Sequence, residues 1–239
     1  MSAERPELSI VIPAHREEVR LERTLRRLVE WARLERRRVE VIVVDDGSDD
    51  GTSATAVRWA AEGVQLVRLP FNRGKGAATR AGVARATGAT ILLCDADLST
   101  PIEEYTRLEP RLAHADVVLG SRALPTARLT ARQPAWREWA GRLFNLAIRG
   151  LGVRGYRDTQ CGFKLLRGEV GRTLFSEMTI DRFAFDVELL WLAQRRGLRI
   201  EEVGVEWRND PDSRVRVVRD GLRMVADVVR LRLRSRARR

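Results

Sequence analysis

Two carboxylates one residue apart, Asp95 and Asp97, follow directly on the apolar run "ILLC" at 91–94. Like charges so close repel, and one of the pair must hold its proton more tightly unless a cation relieves the repulsion. Oxygen donors with an incomplete shell suit Mg²⁺ or Mn²⁺, which keep waters and take substrate phosphates as further ligands. An acidic turn is the plainer reading, and a DxD alone does not decide between the two. The stretch "VVDDGSDDGT" (43–52) repeats the pattern of apolar residues running into acids. Asp49 and Asp50 have a structural use there, because acids near a helix start meet its positive end. Asp45 and Asp46, with Gly47 after them, come before the turn and suit acceptance from a base N–H or a ribose hydroxyl. In "NRGKGAATR" (72–80), Arg73 and Lys75 stand beside glycines at a helix start, a place for an anion. That stretch has no GxxxxGK[ST] spacing, and Thr79 stands where GxGxxG needs its third glycine.

These groups need elements to hold them. Apolar runs at 8–13, 39–48, 64–70, 90–94 and 116–121 read as strands, separated by helical patterns at 17–35, 52–62 and 76–86. Strands apolar throughout need cover on both faces, which predicts a mainly parallel sheet flanked by helices. Ligands of such sheets sit beyond the carboxyl ends of the strands, and the acids above stand at those ends. Further on, "CGFKLLRG" reads as a strand returning to the sheet, 184–197 as a helix ending on glycine, and "RIEEVGVEW" as a half-exposed strand. The segment 133–153 carries Trp136 and Trp139 on one helical face. From Val217 onward, Val218, Leu222, Val225, Val229 and Leu233 form a stripe among arginines. We expect one domain over 1–212 and a basic amphipathic helix or tail over 213–239.

Composition narrows the classes. The chain has 239 residues, is 44% hydrophobic and has two cysteines without CxxC spacing, so disorder, a disulfide scaffold and a zinc site are not indicated. Its opening residues lack the apolar region of a signal peptide, and no run is long enough to span a bilayer. The net charge is +11, of which +8 falls in Arg214–Arg239, so the tail is the part expected to meet an anionic surface. A nucleic-acid binder is the reading from another class. The basic surplus lies away from the acid-rich strand ends and no nucleic-acid module is recognised, so no such partner is expected.

The ordered set "SIVIPAHREE", "VVDDGSDDGT", "NRGKGAATRAG", "LLCDADLSTP", "VLGSR", "DTQCGFKL" and "FAFDVELLWLA" resembles the GT-A family 2 glycosyltransferases. Within them it is similar to the dolichyl- or polyprenyl-phosphate sugar synthases, nearest the dolichyl-phosphate β-glucosyltransferase type, over about residues 8–208. The resemblance implies a GT-A, Rossmann-like sheet, with amphipathic membrane-facing helices in the C-terminal half. Pro13, Ala14, His15 and Glu17 then fall in the nucleoside loop, His15 standing where an aromatic often packs. Asp45, Asp46, Gly47, Arg73, Lys75, Asp95 and Ala96 would line the nucleotide. Asp95 and Asp97 would hold Mg²⁺ or Mn²⁺ on the diphosphate, with Ser99 where some relatives place a metal-facing glutamine. Arg122 would meet phosphate, and Arg214 and Arg216 the acceptor phosphate. Asp97, Arg122, Asp158, Gln160, Lys164, Asp186 and Glu188 are the candidates for the reaction centre, although Asp186 capping its helix and a solvated Glu188 are plain alternatives.

The implied reaction moves a sugar, foremost glucose from UDP-glucose, onto a polyprenyl monophosphate with inversion. The acceptor is already an anionic nucleophile, which accounts for His15 and His114, the two histidines, being poorly placed as bases. GDP-mannose as donor, as in a polyprenyl-phosphate mannose synthase, or a soluble acceptor, keeps the same fold. The expected place of work is the cytoplasmic face of the membrane, peripherally, with a separate membrane-anchoring protein as a plausible partner.

Overall fold

The computed structural model describes residues 5–131, 153, 155–208 and 217–236. Strands β1 (Leu8–Ala14), β2 (Val39–Asp45) and β4 (Thr90–Leu93) are buried along most of their length, β3 (Val64–Arg68) only at Val64, and the four pair in parallel. With β5 (Val117–Ser121), β7 (Lys164–Arg167) and β8 (Ile200–Gly204) they form one seven-stranded sheet in the order β3-β2-β1-β4-β7-β5-β8. The crossovers run through α1 (Glu18–Leu34), α2 (Thr52–Arg58), α3 (Lys75–Arg85) and the short α4 (Tyr105–Leu108), as parallel pairing requires.

One strand breaks the parallel order. β7 runs antiparallel between β4 and β5, with Leu93 and Leu119 both facing Lys164. Its first residue therefore lies level with the last residue of β4. The segment before β7 is delivered to the edge where Ala14, Asp45 and Leu93 end their strands. A parallel β7 would have carried that segment to the far edge.

Alternation along each strand divides the core. Leu8, Ile10 and Ile12 pack with Leu21, Leu25 and Leu28 of α1 on one face. Val11, Ile42 and Val44 pack on the other with residues of α3, α5 (Gly168–Glu177) and α6 (Phe185–Arg195). At the amino edge of the sheet, Glu40 is 7% exposed and accepts from Ser9 Oγ (2.5 Å), Thr87 N (2.6 Å), Thr87 Oγ1 (2.9 Å) and Gly88 N (3.1 Å). That buried carboxylate is satisfied within the framework, far from the acids of the opposite edge.

The strands and helices expected from periodicity are present in the described residues, with ends shifted by a few residues. The expected strand "RIEEVGVEW" is two: β8 joins the main sheet, and β9 (Glu206–Arg208) pairs in parallel with β6 (Arg128–Ala131). β6 and α5 are additions to the elements expected from the sequence, although α5 buries Gly171, Leu174 and Phe175 at helical spacing. The tryptophan segment 133–153 falls largely outside the described residues, as do Arg214, Arg216 and the 212/213 boundary. α7 (Val217–Arg236) is the expected C-terminal helix, but its packing differs from the single stripe. Met224 and Val228 are buried in the core beside α6, while Leu222 (70%), Leu233 (60%) and Val229 (38%) are exposed. The helix has two apolar faces, and the predicted stripe supplies the outer one.

Candidate active site

The chain leaves β4 through a tight turn that is tied at three points. Cys94 N donates to Val11 O (3.1 Å), Leu98 N to Asp95 O (3.2 Å), and Thr24 Oγ1 on α1 to Ala96 O (2.6 Å). Leu98 takes φ +48°, a left-handed conformation unusual for leucine that surrounding bonds must hold. Asp97 accepts from Ser99 N (2.8 Å), and Arg208 N of β9 donates to Ser99 O (2.8 Å). Asp95 and Asp97 are thereby fixed at the sheet edge.

Lys75 heads α3, and its ammonium donates to Asp95 Oδ1 at 2.5 Å. From the other side Gly162, just before β7, presses on the same carboxylate: a Cβ there would stand 2.1 Å from Asp95 Oδ2. Electrostatics separate the two acids. Burial opposes ionisation of Asp95, but Lys75 outweighs it, with Lys164 and Arg122 adding, so its pKa lies below the usual carboxylate range. For Asp97, burial and the neighbouring Asp95 push the pKa up, only partly offset by Ser99 and Lys75. Lys75 is itself desolvated, yet Asp95, Asp186 and Asp97 hold it firmly protonated.

The nucleoside-side expectations divide. Asp46, 3% exposed, accepts from Arg73 N and Gly74 N, both at 2.8 Å, and so pins the glycine loop that presents Lys75. Gly47 at φ +68° touches Phe71: a Cβ would meet its carbonyl carbon at 2.4 Å, so that position demands glycine. Asp45, expected at the nucleotide, is fully buried and accepts from Ser48 N (2.9 Å) and Ser53 Oγ. Its place is the β2 turn, because a carboxylate there satisfies the amides that the turn leaves unpaired. Pro13 and Ala14 end β1. His15 is half-buried, and Glu17 is joined to Arg20 through its carboxylate (2.6 Å) and to Thr52 Oγ1 through its amide (2.8 Å). Arg16 N donates to Ser48 Oγ (2.9 Å) and its guanidinium pairs with Asp49, which ties the loops after β1 and β2 together.

Arg122 follows β5 and is held by Asp158 through its amide (3.0 Å), Nε (2.7 Å) and Nη2 (2.9 Å). Burial opposes the Asp158 charge, but Arg122 overrides it and holds the carboxyl at about 2. The Trp207 ring of β9 covers the guanidinium at 5.4 Å. Gln160 N donates to Asp158 Oδ1 (3.1 Å), and the Gln160 side-chain Nε2 is buried with no partner among the described residues, an unspent donor beside this pair.

Three residues expected at the reaction centre are buried and paired within the protein. Lys164 is 0% exposed and gives its ammonium to Asp186 Oδ1 (2.6 Å) and Cys161 O. Asp186 is pushed up by burial, against Lys164 and Lys75. The pair is closed from solvent, ties Cys161 of the 158–163 segment, and lies within electrostatic reach of Lys75 and Asp95. Glu188, 1% exposed, accepts from the amides of Thr179 and Ile180 and is neither solvated nor open to a ligand. Reading the sequence missed Trp207, a lone aromatic in an alternating strand, and Gly162, whose only signal is a glycine immediately before a buried strand.

Two carboxylates with no third donor make a site that needs substrate oxygens to complete a metal shell. Among the described residues no group of three or more His, Cys, Asp or Glu forms a cage. That donor set fits Mg²⁺ or Mn²⁺ on a diphosphate, not a closed structural ion.

The model of the family described as "Glycosyl transferase family 2" matches residues 9–175. The mouse protein named dolichyl-phosphate beta-glucosyltransferase is 37% identical over 246 residues, covering 95% of this chain and 75% of that one. The human protein of the same name is 35% identical, with the same coverage. Among solved structures, glucosyl-3-phosphoglycerate synthase from Mycobacterium tuberculosis, complexed with Mn²⁺, UDP and glucosyl-3-phosphoglycerate, superimposes with TM-score 0.71 at 23% identity. It covers 95% of this chain and 80% of that chain, a likeness of fold that agrees with the GT-A sheet expected from the motifs.

Proposed function

Since the chain belongs to glycosyl transferase family 2, we propose that it transfers glucose from UDP-glucose to a dolichyl or other polyprenyl monophosphate. The observation that carries the reading is the Asp95 carboxylate, gripped by Lys75 at 2.5 Å and pressed by Gly162, one residue from Asp97. Similarity to proteins named dolichyl-phosphate beta-glucosyltransferase supports glucose as the sugar and dolichyl phosphate as the acceptor.

Asp95 and Asp97 would hold Mg²⁺ or Mn²⁺, which when bound would supply charge neutralisation for the diphosphate leaving group. Lys75, fixed as a cation, contributes positive charge from the protein on the same side. Arg122 is oriented by Asp158 and Trp207, which leaves its remaining donors for a phosphate. An acceptor phosphate oxygen forms the new bond to the anomeric carbon as the bond to the diphosphate breaks, and the electron pair leaves with UDP. Attack from the opposite face inverts the centre. The nucleophile arrives already anionic, so no side chain has to remove a proton.

A lipid acceptor places the work at a membrane surface. No described helix is long and apolar enough to cross a membrane. The outer face of α7 carries Leu222, Val229 and Leu233 with exposed Arg223 and Arg230, the composition of a helix lying in an anionic interface.

The test incubates the chain with Mn²⁺, polyprenyl phosphate and radiolabelled UDP-glucose or GDP-mannose. Label is expected in the organic phase from UDP-glucose. Label from GDP-mannose alone would overturn the donor, and an unlabelled lipid with both donors would overturn the acceptor.

A further inference from the structure

We propose that Glu188 is a positioning residue for Lys75, acting through the backbone of residues 179–181. Its carboxylate is spent in one place. Thr179 N reaches both oxygens at 3.0 Å, Thr179 Oγ1 donates at 3.0 Å and Ile180 N at 2.8 Å. Four donor contacts converge on this one buried carboxyl group, so the segment after Met178 is held where α6 puts it.

That segment in turn is the wall against which the head of α3 rests. Asp181 O accepts from Ala77 N at 3.0 Å. A Cβ on Gly74 would lie 2.5 Å from Asp181 O, and one on Gly76 would lie 2.4 Å from Ile180 O, so nothing separates the two backbones. Around this contact Arg80 pairs with the Asp181 carboxylate and reaches Met178 O at 3.4 Å, and Arg73 adds a 3.4 Å pair to Asp181. Lys75 sits between the two glycines. Asp46 fixes its approach through the amides of Arg73 and Gly74, and the 180–181 carbonyls fix its other flank. Without the Glu188 anchor the wall loses its tie to α6 and keeps its ties to α3, so the two can shift together and the ammonium is held less firmly on Asp95. The chain of contact is Glu188, Ile180 and Asp181, Gly74 and Gly76, Lys75, Asp95.

The inference rests on the reading of Lys75 as a diphosphate-side cation, and the experiment separates the two. Glu188→Gln and Glu188→Ala are compared with Glu40→Gln, which disturbs another buried, hydrogen-bonded carboxylate at the opposite sheet edge. Amide hydrogen exchange over residues 74–78 needs no ligand and reads the wall directly. Faster exchange there is expected in both Glu188 variants and not in Glu40→Gln. UDP affinity with Mn²⁺, by calorimetry, is expected to fall about tenfold in Glu188→Ala, a typical cost of removing a supporting partner. Glu188→Gln, which keeps one acceptor and carries the test should the alanine variant not fold, is expected to lie between. Adding Lys75→Ala to Glu188→Gln should cost little beyond Lys75→Ala alone, since coupled residues are not additive. Unchanged exchange at 74–78, or a UDP affinity no lower than that of Glu40→Gln at a matched loss of Tm, would overturn the inference. A parent chain that binds no UDP would overturn the functional reading, and this inference with it.

Discussion

Asp95 and Asp97 are one residue apart, yet their surroundings drive their ionisation in opposite directions. Lys75 stabilises the charge on Asp95, whereas burial and Asp95 itself disfavour the charge on Asp97. A carboxyl with a raised folded-state pKa costs stability above that pKa, and the cost disappears as the pH falls through it. Asp97→Asn removes the cost and keeps an acceptor for Ser99 N. In EDTA at pH 7 its Tm should therefore exceed the parent's, while Mn²⁺-dependent UDP binding is lost and transfer falls about a hundredfold or more. A lower Tm would count against this account of the site. Asp158 has the opposite sign, its folded pKa being depressed to about 2. Its stabilisation is present above the ordinary carboxylate range and fades as the pH falls toward 2. Asp158→Asn should cost about 2 kcal/mol at pH 7, a difference that shrinks between pH 4 and 2 in urea titrations.

At the scale of elements, the antiparallel insertion of β7 brings the segment 158–163 to the DxD turn. Gly162 is the contact point, and its substitution tests the arrangement. In Gly162→Ala the new methyl group and the Asp95 carboxylate compete for one volume, so the carboxylate must turn. We expect about a tenfold to hundredfold weaker Mn²⁺–UDP binding with a modest change in Tm, read by calorimetry and thermal melts. β9 acts from the other side, with Arg208 N on Ser99 O and Trp207 over Arg122. Trp207→Leu removes the π face and should lower kcat, whereas Trp207→Phe keeps an aromatic face and should restore most of it.

For the whole molecule, charge and apolar surface meet on α7, whose inner residues Met224 and Val228 fasten it to the core. Its outer residues Leu222, Val229 and Leu233 remain exposed among arginines. Flotation with vesicles containing anionic lipid should carry the chain upward at low salt and less so at high salt, because exposed charges are screened. Leu222→Ser with Leu233→Ser should reduce flotation without lowering Tm, since neither side chain is in the core.

The order of strands and helices in the first half, the parallel bias and the clustering of acids at strand ends were legible in the residues, because apolar runs and helical spacing are local. Asp95, Asp97 and Lys75 stood out by residue type and by their place at a strand end or helix start, Arg122 through the resemblance, and the structure sets Lys75 on Asp95. The tasks of Asp45, Lys164, Asp186 and Glu188 were not legible, because a carboxylate or an ammonium reads the same whether it faces solvent, a substrate or a buried partner. Those assignments depend on groups distant in the chain: the amides of Thr179 and Ile180 for Glu188, and Asp186 for Lys164. The direction of β7 was equally silent, since Lys-Leu-Leu-Arg has the same basic–apolar–apolar–basic pattern read from either end. The sequence by itself determined which chemistry is available and on which elements it rides. Only the tertiary structure decided which charges stay open for a ligand and which are consumed in holding the others still, because burial and hydrogen-bond saturation belong to the fold.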